Sequence, residues 1–320
     1  MSQNDFITSG GNSLHLSKIA SSLAQDSRRY VAEQVAVPLS QSGIINYSFL
    51  KNQAGWSDLS STIVSQGPTP CATLAGEDET LVQGSLDTHG VRAWVSEREI
   101  LLRGQSGVSR DQVIKSQLNR VVGSLMVNRD YELAKMLTTS GNYNASNVAT
   151  VSTKWDAAGS DPVADILAAV GQLAKGPAKS ENYLVADESV FIALMGNAAV
   201  RNAVGGISYA PSLQNLEQIL GVHIVVSRAT WGNTNSMFGN YAVLYRRPVN
   251  ADVNDDGAME CSFRLIHNAD LPITVRTYTP DELEGQGVYV EAKSTYKFIS
   301  PYSDANGKFN TAFLLAAPLT

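Results

Sequence analysis

Four histidines, His15, His89, His223 and His267, are the first residues to weigh as metal ligands or proton carriers. They stand apart, without the i, i+4 spacing that sets two imidazoles on one helix face around zinc, and they read as structural side chains. Asp252-Val253-Asn254-Asp255-Asp256-Gly257 begins like a calcium loop, in which alternate oxygen-bearing side chains wrap a hard cation. The twelfth position of such a loop should be a bidentate Glu, and here it is Phe263, so a solvated turn fits better. Acidic groups at Glu77, Asp78 and Glu79 and at Asp281, Glu282 and Glu284 could supply a general acid and base only within a pocket. No neighbouring pattern provides one, and they read as solvated or interface-facing charge. There is no GxSxG elbow and no GxxxxGK[ST] loop, and Gly285-Gln286-Gly287 leads into a strand pattern instead of a helix N-terminus. The chain is expected to be no enzyme, with no catalytic, cofactor or metal site.

The elements that would have to position such residues are clearer than the residues themselves. Residues 1–70 read as an arm, with Leu16, Ile19, Leu23 and Tyr30 at helical spacing and Gly67-Pro68-Thr69-Pro70 closing it. From Thr80 to Leu102 the pattern turns to strands, Val91, Ala93 and Val95 alternating with Arg92, Trp94 and Ser96. Asp87-Thr88-His89-Gly90 serves as the turn of a long β-hairpin. Its two faces carry polar side chains, so it is expected to project toward a partner.

Ser109 with Gln112 forms a capping-box signature, and Ile114, Leu118, Val121, Leu125 and Met126 follow on one stripe. A helix over residues 110–137 is predicted, about 40 Å long, a strut across the molecule. Asp161-Pro162 opens a second helix that Gly176-Pro177 stops. Residues 181–247 alternate strand and helix as a compact α/β unit, and from Cys261 onward the chain is β-rich, with Val288 to Phe298 alternating wet and buried positions.

A length of 320 residues suggests roughly two globular units. With 43% hydrophobic and 17% charged residues the composition is ordinary, and no run approaches the roughly 18 apolar residues of a membrane span. Met1-Ser2-Gln3-Asn4-Asp5 has no basic, apolar leader pattern, and the distant Cys71 and Cys261 fit packed thiols in a reducing compartment. The net charge is −6, and residues 71–108 hold three Arg against six acids while residues 181–260 hold four against eight. No basic face suited to tight, specific DNA binding is visible.

Three stretches together carry a resemblance: Trp155-Asp156-Ala157-Ala158-Gly159-Ser160-Asp161-Pro162; Val185-Ala186-Asp187-Glu188-Ser189-Val190-Phe191 with Asn197 and Val200-Arg201; and Leu216 to Val226. With the closing stretches Gly287 to Ser300 and Phe309 to Leu315, the chain resembles the major capsid proteins of tailed double-stranded DNA bacteriophages. The resemblance implies an α+β fold with an N-terminal arm (1–70), an extended β-hairpin loop (71–108) and a peripheral domain with a spine helix (109–180). An axial domain (181–255) follows, then return strands (256–320), of which the last rejoins the axial domain. It implies self-assembly as hexamers and pentamers into an icosahedral virion shell enclosing double-stranded DNA, built in the host bacterial cytoplasm with a scaffolding protein, a portal and decoration proteins, and with no membrane partner. Some relatives weld their shells through a lysine on the extended loop, whereas residues 71–108 contain none. Cohesion should then rest on buried area and charge matching, with the acidic hairpin, which carries Arg92, Glu97, Arg98 and Glu99, docking on a basic patch of a neighbour's strut for which Arg110, Lys115, Arg120, Arg129 and Lys135 are the candidates.

Encapsulin-type compartments share this architecture, and a packaged enzyme in place of DNA would distinguish them. An enzyme built on the α/β unit is the reading of another class, and a monomer with hydrolase or transferase activity would reveal it.

Overall fold

The computed structural model describes residues 20, 30–41, 46–52, 79–173, 180–206, 211–232, 235–248, 262–268, 273–279, 286–300, 303 and 307–320. In chain order the elements are α1 (Ala32–Val35), β1 (Val37–Gln41), β2 (Asn46–Asn52), β3 (Glu79–Ser85), β4 (Asp87–Ser96), α2 (Glu97–Gln105) and α3 (Arg110–Thr138). There follow β5 (Val148–Thr150), α4 (Pro162–Gln172), β6 (Ser180–Asp187), α5 (Glu188–Gly196), α6 (Ala198–Val204), α7 (Leu213–Leu220) and β7 (His223–Ser227). The chain ends with β8 (Thr230–Trp231), β9 (Asn235–Ser236), β10 (Tyr241–Pro248), β11 (Arg264–Asn268), β12 (Thr274–Tyr278), β13 (Gly287–Ile299) and β14 (Ala312–Ala316). Leu16, Ile19, Leu23, His15, both cysteines, Gly176-Pro177, the Asp252–Gly257 loop and the acids Glu77, Asp78, Asp281, Glu282 and Glu284 lie outside the described residues.

The predicted strut is α3. Ser109 accepts the Gln112 amide and Gln112 Oε1 accepts the Ser109 amide, so the capping box satisfies two orphan donors where the helix starts. Its 29 residues extend about 44 Å. One end packs Val113, Ile114, Leu118, Val121, Val122, Leu125 and Met126 against Val95, Val288, Val290, Ala292 and Val275. The other end sends Leu133, Ala134 and Leu137 into a second core with Val185, Val243, Tyr245, Phe263 and Leu314.

The first of these cores lies on a sheet we call peripheral, in the order β1-β11-β13-β12 with β4 on the other edge of β13. The second sheet, which we call axial, runs β5-β14-β10-β6-β7. It is buried on both faces, and its strands accordingly carry near-continuous apolar runs. Val185, Val243, Tyr245 and Leu314 face the spine end, while Leu184, Ala186, Leu244, Phe313 and Leu315 face a third core with Ile166, Phe191, Val200 and Leu216 of the helices α4 to α7.

Two expectations are corrected. The 80–102 hairpin does not form: β3 pairs antiparallel with β2, and β4 pairs with β13 over ten residues from Gly287↔Ser96 to Tyr296↔Asp87. Asp87 to Gly90 are strand, not turn, and only Leu86 interrupts the run from β3 into β4. Val91, Ala93 and Val95 are not a face awaiting a partner, because α3 covers them. The extended ribbon is therefore β2–β3, beginning inside the stretch read as arm. Second, α4 and β5 fall within 109–180 yet pack with the axial sheet, because the apolar face of α4, Ile166 and Ala169, matches the third core. The α4 N-terminus is as expected, with Asp161 Oδ1 accepting the Ala164 amide at 3.1 Å and Pro162 at its first turn.

Candidate functional site

The family-like residues are brought together as a lock beside the axial sheet. Trp155 is fully buried, and its indole N–H donates to Asp165 Oδ2 at 3.0 Å. Asn197 Nδ2 donates to the Trp155 carbonyl at 2.9 Å and to Ser160 Oγ at 2.7 Å, while Asn197 Oδ1 caps α6 through the amides of Ala199 and Val200. These residues hold the α4 entrance against α6 and present no reactive group. Asn197→Ala should lower subunit stability by about 2–4 kcal/mol, since it strips a cap and leaves buried partners unmatched; a urea midpoint equal to that of the parent protein would contradict this.

The charged residues expected at neighbour contacts divide into three groups. Glu97 meets Arg110 at 3.5 Å, and Glu99 meets Arg103 at 2.8 Å and Gln117 Nε2 at 3.4 Å, all within one chain. Their pairing with the strut is thus at least partly satisfied inside the subunit. Arg129, expected to face outward, is instead 5% exposed and bonds Glu33 at 2.9 Å, because its helix position turns toward the arm root. Arg92, Arg98, Lys115 and Arg120 are exposed. Of these, Arg92 and Arg120 line one open cleft of about 480 Å³ with Glu99, Arg103, Gln117 and Trp94. Arg92 lies 5.3 Å over the Tyr289 ring, which also packs on Trp94 at 4.7 Å.

Arg103 and Gln117 were missed by the sequence reading. The signal was present: Ser96 and Glu99 make a helix-start signature, and Ser96 Oγ accepts the Glu99 amide at 3.2 Å to open α2. Once α2 is recognised, Glu99 and Arg103 fall one turn apart. Removing the exposed Glu97–Arg110 pair by Glu97→Ala should change the subunit's unfolding free energy by only about 0–1 kcal/mol. A thermal shift of many degrees would show that the pair does more than bridge two exposed side chains.

His89 and His223 are less solitary than their spacing suggested. His89 stacks on Tyr296 at 4.5 Å and approaches Glu132 at 3.3 Å, and the Tyr296 hydroxyl donates to Glu132 at 2.9 Å. His223 lies 2.8 Å from Glu181 and 4.0 Å from Glu217. Among the described residues no group of three or more His, Cys, Asp or Glu side chains is arranged to hold a metal ion, and no helix is long and apolar enough to cross a membrane.

Ribbon, spine, peripheral sheet and axial sheet together show the fold of tailed-phage major capsid proteins. A phage-related protein from Bordetella bronchiseptica RB50 superposes with a TM-score of 0.68 at 14% identity, over 96% of this chain and 97% of its own. The capsid of the cyanophage P-SCSP1u matches at a TM-score of 0.55 and 12% identity, over 91% of this chain and 89% of that one. The SrpI encapsulin of Synechococcus elongatus matches at 0.51 and 10%, over 89% and 85%. No protein-family model and no curated protein sequence matches the chain.

Proposed function

We propose that the chain is a structural, non-catalytic subunit that assembles as hexamers and pentamers into the icosahedral shell of a tailed phage, around double-stranded DNA. The observation that carries this reading is the likeness of the fold, over about nine-tenths of the chain, to the capsid of the cyanophage P-SCSP1u and to the SrpI encapsulin. A fold by itself does not specify a function. The exposed charges on β4, α2 and α3 add support, as does a two-stranded ribbon that pairs with no other strand among the described residues. The partners proposed for such a shell are a scaffolding protein, a portal and decoration proteins.

Negative-stain microscopy of the expressed protein tests it, with shells, tubes or rings of five and six as the expected images. Monodisperse monomers, with scaffold supplied, would overturn it. The encapsulin likeness supports a second reading, a compartment shell. The contents decide between them, DNA and a portal for the phage, a packaged enzyme for the compartment. Replacing Arg92, Glu97, Arg98 and Glu99 together by Ala should impair particle formation while the subunit stays folded by circular dichroism; unchanged particle yield would remove these residues from the interface.

A further inference from the structure

The cleft between β4 on one side and α2 with the spine on the other carries charge that the subunit itself does not neutralise. It encloses about 480 Å³, a volume suited to a small ligand. Part of its lining is apolar, with Val121 at 2% exposure and Val91 and Ala93 packed against the same core. Arg92, Arg103 and Arg120 line it against one carboxylate, Glu99, which leaves two positive charges over. Glu99 is already taken by Arg103 at 2.8 Å and by Gln117 Nε2 at 3.4 Å. Arg92 lies 5.3 Å over the Tyr289 ring, and Glu291, opposite it on β13, is bonded by Lys293 at 3.0 Å and approached by Arg276 at 3.8 Å. Arg120 makes no ion pair or hydrogen bond with any described residue. Guanidiniums left without an anion on facing walls repel one another, and beside apolar groups water screens that repulsion less than on an open surface. The chain as a whole has a net charge of −6, so the local excess runs against its composition.

We propose that this cleft is an anion site for a phosphoryl dianion, free phosphate or a phosphate monoester, held between Arg92 on the strand wall and Arg120 on the spine wall. The charge count selects the ligand. A carboxylate brings one charge and is satisfied by a single guanidinium fork, whereas a phosphoryl group brings close to two charges and three acceptor oxygens, enough to engage donors from both walls. Trp94 lines the cleft beside Arg92 and packs on Tyr289 at 4.7 Å, which fixes its ring as a surface for the organic group of a monoester. The site stands whether or not the chain builds a shell.

Calorimetric titration of the full-length protein with inorganic phosphate and with phenyl phosphate tests it. Both should bind saturably with Kd below about 1 mM, and acetate at matched ionic strength at least about 10-fold more weakly. Arg92→Ala and Arg120→Gln should each weaken phosphate binding about 10-fold or more. Arg120→Gln has no partner within the subunit to lose, so it keeps the test open should Arg92→Ala, which strips a contact from Tyr289, fail to fold. Tighter binding of phenyl phosphate than of phosphate would identify a monoester as the ligand, and equal binding the free ion. No saturable binding, acetate binding as tightly as phosphate, or an affinity that either substitution leaves untouched in a folded subunit would overturn the site.

Discussion

Gly287→Ala is expected to leave the subunit unfolded or insoluble under conditions where the parent protein is folded. Gly287 starts β13 opposite Ser96 with φ +155°, a backbone conformation that side chains rarely adopt. A Cβ there would lie 2.2 Å from the Val95 carbonyl oxygen, 2.6 Å from Trp94 Cζ2 and 2.9 Å from Ser96 Cα. Two of those three atoms are backbone in the ladder that joins β4 to β13, so neither can move aside alone. Conformational strain of about 1–3 kcal/mol adds to overpacking of about 1–3 kcal/mol, a large share of a domain's stability. Gly171→Ala is the control, since nothing lies within 4 Å of the new methyl and the residue sits within α4. It should be neutral or stabilise by up to about 1 kcal/mol. Soluble yield and urea midpoints of the two variants decide the matter, and equal midpoints would show that the β4–β13 crossing tolerates a side chain.

The second large effect is expected at Asp130. Its carboxylate is 2% exposed and accepts the amides of Val31 at 3.0 Å and Ala32 at 2.9 Å, tying the root of the arm to the spine. Asp130→Ala leaves two buried N–H groups without an acceptor and should cost about 2–5 kcal/mol. The amides of Val31 and Ala32 should exchange faster in that variant before the spine core does. Burial pushes the Asp130 carboxyl up to about 6, against the opposing pull of the two amides and Arg129. Because its folded pKa lies above the ordinary aspartate value, this group's contribution is greatest below about pH 4 and is lost as pH rises through about 6. The stability of the parent protein relative to Asp130→Asn should therefore fall between about pH 4 and 6. A rise over that window would mean that the amides and Arg129 outweigh burial.

What the sequence made legible was local. The spine was visible because Ser109, Gln112 and an apolar stripe lie within a few turns of one another, and the α4 start because Asp161 and Pro162 are adjacent. The partner of β4 was not visible, because Trp94 and Tyr289 lie far apart in sequence and alternation says which side chains share a face, not which strand lies alongside. Asp87-Thr88-His89-Gly90 has turn composition, but pairing with β13 over ten residues overrides it. The charged surface was half legible. Exposure of Arg92 and Arg120 follows from residue type, whereas the burial of Arg129 depends on Glu33 and the arm root, some hundred positions away.

The spine also has a mechanical consequence. It is gripped by one core at each end, with Val127 packed against both, and the second core also joins Leu265 and Tyr296 of the peripheral sheet to Val243 and Tyr245 of the axial one, so sliding one sheet past the other would pull buried side chains away from the helix. Reorientation of one sheet must turn the helix as a lever, and over its length of about 44 Å a tilt of about 5° would swing the far end by about 4 Å.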